Sequence, residues 1–376
     1  LPEQKHRKPL AAWFAAWKNS AVFFRISAFL QLFFLAATLV RAQEVKIGVL
    51  GLFHPREITL ASTAEDGLVV VAADKTFVME PGSRSAIASI RISGSQLIFS
   101  YRGKIVRTTE VRAFGRNHAS TTLILGIPEK ITRRYQGTLV VKGGEGVVLP
   151  VITMDLETAV ASVVAAETMP GTELEALKAQ AVVTRSYFFA GAGRHHDFDF
   201  CDLTHCQFLR EPPSPESNAA IAALVTRGFV LRYEDKPIAT MFARSCGGRT
   251  RTPAELNISE GTYPYFSVVC AYCSKHPTRW TRTISKPDAS ILVGKGEAGR
   301  LAVDRRLGWN AIPSNNFTSR EVDGEVLLEG KGQGHGIGLC QRGSSAMAND
   351  GSTFREILQH YFPNTTLGTI GVHEDI

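Results

Sequence analysis

The sequence predicts an α+β fold in which mixed strands run into a pair of packed helices. Three observations predict it. The 376 residues are 44% hydrophobic and 20% charged, the balance of a globular chain long enough for one large domain or two ordinary ones. Residues 44 to about 150 alternate β-branched runs with Gly-, Pro- and Asn-containing turns. From residue 155 onward the apolar period changes to that of helices.

The first 42 residues read as an export signal. A basic start precedes the apolar run Ala21–Val40, and Val40-Arg41-Ala42 offers small residues where a signal peptidase reads, so cleavage after Ala42 is expected. Arg25 interrupts the run and leaves about 15 residues beyond it, short for a membrane span. An uncleaved anchor is the alternative. In both cases the N-terminal segment engages the membrane or the export machinery, and the folded part lies outside the cytoplasm, in the periplasm or at the cell wall. The net charge of +7 is concentrated here: residues 1–42 hold six basic side chains against Glu3 alone, leaving +2 for the rest. With no basic stripe interleaved with aromatics, nucleic acid is not an expected partner.

Residues 43–150 form a β-rich N-terminal lobe in this reading, with strands at Val45–Leu50, Leu68–Ala73 and Gly137–Lys142. Residues 151–370 form the second unit. Its first helix follows Asp155 and carries Leu156, Val160, Val163 and Val164 on one stripe. Met169-Pro170-Gly171 ends it. Thr172-Glu-Leu-Glu175 has the pattern of a capping box for the next helix, whose body runs to Tyr187. Ser352–Tyr361 is a further amphipathic helix, stopped by Pro363.

Glu167 breaks the pattern. It lies four residues beyond Val163, on the apolar stripe, where an ionised carboxylate costs several kcal/mol unless it is paired or protonated. A helix-end Glu pointing to water is the plain alternative. A carboxyl held protonated by burial could act as a general acid. In Gly330–Gly338 glycine recurs at every second position. As an extended strand this would strip one face of side chains and present His335 on the other; a tight turn or bulged strand, with His335 a hydrogen-bonding core residue, is the alternative. Neither a phosphate loop nor a dinucleotide fingerprint fits this spacing.

Four segments in order, Val163–Pro170, Glu175–Tyr187, Ser245-Cys-Gly-Gly248 and Gly334–Gly343, resemble the SpoIID/LytB-domain family, the stage II sporulation protein D type. The late Ile357–Tyr361 also matches. The resemblance spans about 44–370 and implies a SpoIID/LytB-type catalytic core at 151–370 with a long substrate groove. It implies a lytic transglycosylase acting on peptidoglycan glycan strands, those stripped of peptides being favoured by relatives. Glu167 then serves as catalytic acid and, once ionised, as base, giving 1,6-anhydro-N-acetylmuramic acid ends. No cofactor is required for that chemistry.

The motifs place Lys178, Arg185, Tyr187, Ser245, Gly247, His335 and Gln341 as substrate-binding candidates. Lys178 and Arg185, seven apart, share a helix face on which they would hold Glu167 or bind the sugar; a solvated face is the alternative. Cys340 stands where relatives often carry Ser, which removes any role for a hydroxyl there.

All six cysteines lie beyond residue 200. In an exported protein an even count suggests disulfides. Some relatives bind zinc through one His and two Cys, placed here at His195, Cys201 and Cys206, in a structural role. Cys270-Ala-Tyr-Cys273 suits a metal or a disulfide, and Cys246 could complete either set. Two other functions fit the same residues: a zinc-dependent peptidoglycan hydrolase such as an amidase, and a noncatalytic glycan-binding protein that recruits or activates a cell-wall amidase.

Overall fold

A computed structural model describes residues 43–370 except 64, 83–86, 192–194, 205, 260 and 262. The predicted export signal, residues 1–42, lies outside the described residues. The strand-rich part comprises β1 (Glu44–Gly48), β2 (Glu57–Ser62), β3 (Leu68–Ala72), β4 (Lys75–Met79), β5 (Ala88–Ser93), β6 (Gln96–Tyr101), β7 (Lys104–Thr108), β8 (Glu110–Phe114), β9 (Thr121–Ile127), β10 (Ile131–Gly144) and β11 (Val147–Asp155). Then come α1 (Leu156–Glu167), α2 (Leu174–Ala190), β12 (Phe200–Cys201), α3 (Asn218–Val225), β13 (Phe229–Tyr233), β14 (Lys236–Pro237) and β15 (Phe242–Ala243). The last part holds α4 (Ala271–Lys275), β16 (Arg279–Ile284), α5 (Lys286–Leu292), α6 (Gly296–Leu307), β17 (Phe317–Val322), β18 (Glu325–Lys331), β19 (Leu339–Cys340), α7 (Gln341–Asn349), α8 (Phe354–Tyr361) and β20 (Thr366–Thr369). The fold is α+β, as predicted.

The large sheet runs β12-β1-β11-β10-β9-β2-β5-β6-β7, with β3, β4 and β8 branching from it. Its pairs are antiparallel except β1 with β12. The long β10 makes the curl: residues 131–137 pair with β9, while 139–142 pair with both β8 and β11. Strict in–out alternation in β11 puts Val148, Ile152 and Met154 in the core, and a one-residue slip would expose all three.

β11 runs directly into α1. Asp155 caps that helix, its Oδ1 accepting the Glu157 and Thr158 amides at 3.0 and 3.1 Å. Leu156, Ala159, Val160, Val163 and Val164 form its buried stripe and join the core of the large sheet. Each fully buried Val or Leu contributes roughly 1.5–3 kcal/mol.

Helix α2 separates two cores. Leu177, Ala181, Tyr187 and Phe188 face the sheet core, whereas Ala179, Val182 and Val183 face a second core with the β19 strand, α8 and four cysteines. A helix buried all round needs small residues where its neighbours approach, which Ala176, Ala179 and Ala181 supply. The capping box expected at Thr172–Glu175 is absent. The helix starts at Leu174 with Glu173 as its cap, and the Glu175 carboxylate instead takes the Phe354 amide at 2.8 Å and the Lys178 ammonium. A capping box does form at Thr353 and Glu356, before α8. A third, smaller core of Trp280, Ile284, Val303, Ile312 and Leu328 joins α5 and α6 to the β16-β18-β17 sheet.

Of the two forms the sequence allowed, the glycine-rich segment takes the turning one and not the extended strand. Strand β18 ends at Lys331, and Gly332, Gly334, Gly336 and Gly338 all have positive φ, from 73 to 90°. Alternation serves the backbone here: every second residue lies in a region open to glycine. The stripped face is also real. A Cβ on Gly332 would stand 2.7 Å from the Ser245 carbonyl oxygen, and one on Gly338 would stand 2.1 Å from that of Met241. The segment therefore packs backbone to backbone along residues 241–251, with Ser245 and Gln333 exchanging both amide bonds.

Candidate functional site

Glu167 is the last residue of α1, and its two ends are held separately. Its carboxylate Oε1 accepts the Phe208 amide at 3.0 Å. Its backbone oxygen, one of the orphan carbonyls of a helix C-terminus, accepts from Arg244 Nη1 at 3.1 Å and from Gln341 Nε2 at 3.2 Å. Thr168 is extended and closes the turn onto the Val164 oxygen. Burial pushes the Glu167 carboxyl above the ordinary glutamate range, against the Phe208 amide and the positive charge of Arg244. The negative end of the α1 dipole acts in the same direction as burial. Met169, two residues beyond Glu167, and Arg244, which holds its carbonyl, line a cleft of about 440 Å³ with Gln333 and Arg342.

Phe208 arrives on a loop that the sequence analysis did not single out for this purpose. Asp202 anchors that loop. Its Oδ2 takes Arg133 Nη1 at 2.9 Å, the Leu50 amide at 3.2 Å and the Tyr135 hydroxyl at 3.3 Å. The same loop carries His195, Cys201 and Cys206, whose ligand atoms lie within 4.8 Å of one another, with His195 Nε2 3.3 Å from Cys206 Sγ. One imidazole and two thiols are donor types that zinc takes, so this trio fits the ion.

The other predicted residues divide. Gln341 reaches Glu167, through its backbone. Ser245 is buried and neighbours Thr278 at 3.3 Å and Cys273 Sγ at 3.6 Å. Gly247 has φ 76° and lies so close to Lys331 that a Cβ would be 3.0 Å from its carbonyl oxygen. The His335 Nδ1 accepts the Ile337 amide at 3.0 Å, and burial pushes its imidazole below the ordinary range while Glu297 pulls it up. Lys178 pairs with Glu175 on its own helix.

Arg185 and Tyr187 are both buried in the structure. Arg185 is fully buried and holds both Glu157 oxygens, at 2.8 and 2.6 Å, together with the Phe229 and Ala223 carbonyls at 3.1 and 3.0 Å. Tyr187 packs against Phe188 and Phe200 in the sheet core. Arg185 is covered because α3 and β13 close over its side of α2, whereas Tyr187 turns into the sheet core. Arg244, which grips Glu167, was missed. It sits beside the Ser245-Cys-Gly-Gly248 motif, but nothing in its spacing marks it.

None of the six cysteines is disulfide-bonded. Cys246, Cys270, Cys273 and Cys340 come together in the second core with all four sulfurs within 4.8 Å of one another, and this buried group could hold a structural metal such as zinc.

With the geometry in place, comparison with known sequences gives the class of protein. A sequence model of the SpoIID family, described as Stage II sporulation protein, matches residues 145–233, from β11 to the end of β13. An uncharacterized protein of Brachyspira hyodysenteriae is 30% identical over 261 residues, 61% of this chain and 70% of the relative. Stage II sporulation protein D of Bacillus amyloliquefaciens is 26% identical over 250 residues, 55% of this chain and 72% of the relative. The amidase enhancer of Bacillus subtilis is 38% identical over 61 residues, 16% of this chain and 9% of the relative. The chain belongs to the SpoIID domain family.

Proposed function

We propose that this protein is an exported peptidoglycan lytic transglycosylase with Glu167 as its acid and base. The observation that carries the reading is the setting of Glu167: a half-buried carboxyl whose pKa burial raises, oriented by the Phe208 amide and gripped through its carbonyl by Arg244, a residue that lines a cleft together with Met169. Protonated Glu167 donates to the oxygen linking N-acetylmuramic acid to N-acetylglucosamine, and the bond from muramic C1 to that oxygen breaks. The muramic C6 hydroxyl then attacks C1, and the Glu167 carboxylate takes its proton. The acid is regenerated and the 1,6-anhydro product formed with no water consumed, so one carboxyl suffices where a hydrolase ordinarily uses two.

Zinc on His195, Cys201 and Cys206 would fix the loop that delivers the Phe208 amide. Such an ion supplies rigidity to the loop, while proton transfer stays with Glu167. Product analysis by mass spectrometry, on intact and amidase-treated peptidoglycan, tests the reading. It predicts 1,6-anhydro ends that vanish in Glu167→Gln, and reducing ends would refute it.

The relative named amidase enhancer supports a second reading, a noncatalytic glycan-binding partner of a cell-wall amidase. That role predicts no cleavage by the protein alone and stimulation of an amidase by wild type and Glu167→Gln alike.

A further inference from the structure

We propose that Cys246, Cys270, Cys273 and Cys340 form a second metal centre, a tetrathiolate zinc site separate from the His195, Cys201 and Cys206 group, which locks the arms that grip Glu167. The site itself does not depend on the role given to Glu167; only its consequence for glycan cleavage rests on that reading.

The four sulfurs come from three stretches of chain far apart in sequence. Cys246 lies in the Ser245–Gly248 turn, Cys270 and Cys273 flank the first turn of α4, and Cys340 is the N-cap of α7. Cys273 and Cys340 sulfurs are 3.6 Å apart. Zinc–thiolate bonds of about 2.3 Å set tetrahedral sulfur–sulfur edges of about 3.8 Å. Sulfurs this close leave room for one ion. Soft thiolates select zinc over the harder divalent ions. All four residues are at most 3% exposed, as a closed structural site requires.

The surroundings are built for charge on sulfur. Cys340 Sγ accepts the Cys246 and Gly343 amides, each at 3.4 Å. The Tyr361 hydroxyl stands 3.4 Å from Cys270 Sγ and the Ser245 hydroxyl 3.6 Å from Cys273 Sγ. Two amides donating to Cys340 Sγ, with two hydroxyls within reach of the Cys270 and Cys273 sulfurs, suit a zinc tetrathiolate, with net charge −2, in an apolar core. Four neutral thiols packed as small apolar groups would not need the two amides. Gly343 leaves the cluster its space: a Cβ there would lie 2.5 Å from Cys270 Sγ. Loading is simple exchange, in which one Zn²⁺ displaces four thiol protons and nothing is oxidised or reduced.

The ligands adjoin the grip on Glu167. Arg244 lies two residues before Cys246, and Gln341 follows Cys340. One ion would therefore hold together the two arms that meet on the Glu167 carbonyl and brace both against α4.

Elemental analysis of the full chain and two variants tests this. Cys201→Ser should keep one equivalent of zinc that Cys273→Ser loses. Cobalt(II) loaded into Cys201→Ser should show strong thiolate-to-cobalt charge transfer and tetrahedral visible bands. Should Cys273→Ser fail to fold, the cobalt spectrum of Cys201→Ser and thiol alkylation of the denatured wild type decide. Zinc content unchanged by Cys273→Ser, a cobalt spectrum without charge transfer, or these cysteines recovered as disulfides would overturn the proposal. Glu167→Gln should keep its full zinc, so failure of the acid reading would leave these results untouched.

Discussion

Replacing Glu157 by Gln separates a structural Arg185 from a substrate-binding one. The change keeps the shape of the side chain and removes its charge, leaving a guanidinium with no exposed surface and no counter-ion. Removing one partner of a buried pair costs about 3–5 kcal/mol. A Coulomb estimate agrees, giving about 4 kcal/mol for unit charges 4 Å apart at an effective dielectric of 20. Glu157 is 18% exposed, so water softens the loss and the lower end, about 3 kcal/mol, is expected. With a urea slope of about 1–3 kcal/mol per molar, the midpoint should fall by roughly 1–3 M. Tryptophan fluorescence in urea reads this directly. Arg185→Met should cost a similar amount, and the double variant less than the two together, because neither charge is then stranded. Glycan cleavage per folded molecule should persist in Glu157→Gln. A loss under about 1 kcal/mol, with cleavage abolished, would refute the structural role and return Arg185 to the substrate.

Glu167→Gln should reduce cleavage by roughly 10²–10⁴-fold, the range of a lost general acid. Its stability should move the other way. Because burial raises the folded-state pKa of Glu167 above the unfolded value, the favourable contribution is fully present below the unfolded pKa and is lost as pH rises through the folded one. Melting above that window should therefore show the Glu167→Gln variant at least as stable as wild type. Cleavage by wild type should fall through the same window, and a flat profile would count against Glu167 as the acid. Arg244→Ala removes the positive charge that restrains this pKa, so the falling limb should move to higher pH while turnover drops with the lost carbonyl bond. Gly343→Ala would place a methyl 2.0 Å from the Tyr361 hydroxyl. About 1–3 kcal/mol of overpacking is expected in urea melts, together with loss of zinc from the four-cysteine group.

What the sequence made legible follows from how local each signal is. The α1 stripe and the strand runs are periodic over a few residues, and they appear where expected. Glu167 was legible because it interrupts such a period. Arg185 misled because periodicity records one helix and not its neighbours. Two cores enclose α2, and that arrangement depends on α3 and β13, some 40 residues onward. The glycine alternation was visible but its cause was not, since a period of two suits both an extended strand and a repeat of positive φ. Cys340 was read as a lost hydroxyl. Its partners Cys246, Cys270 and Cys273 lie up to 94 residues away, and no spacing rule joins them.

The grip on Glu167 explains why so many segments of this family motif occur in a fixed order around one residue. A side chain at a helix end would ordinarily fray, because its carbonyl has no partner in the helix. Here Arg244 and Gln341 supply two. That fixes the backbone, while the Phe208 amide fixes the carboxyl from the opposite direction. The Asp202 network anchors the Phe208 loop, and the proposed four-sulfur site would anchor the segments of the other two. Burial raises the Glu167 pKa, and the donors fix its position. Loosening either anchor should therefore lower turnover before it shifts the pH profile, whereas changing Arg244 should do both.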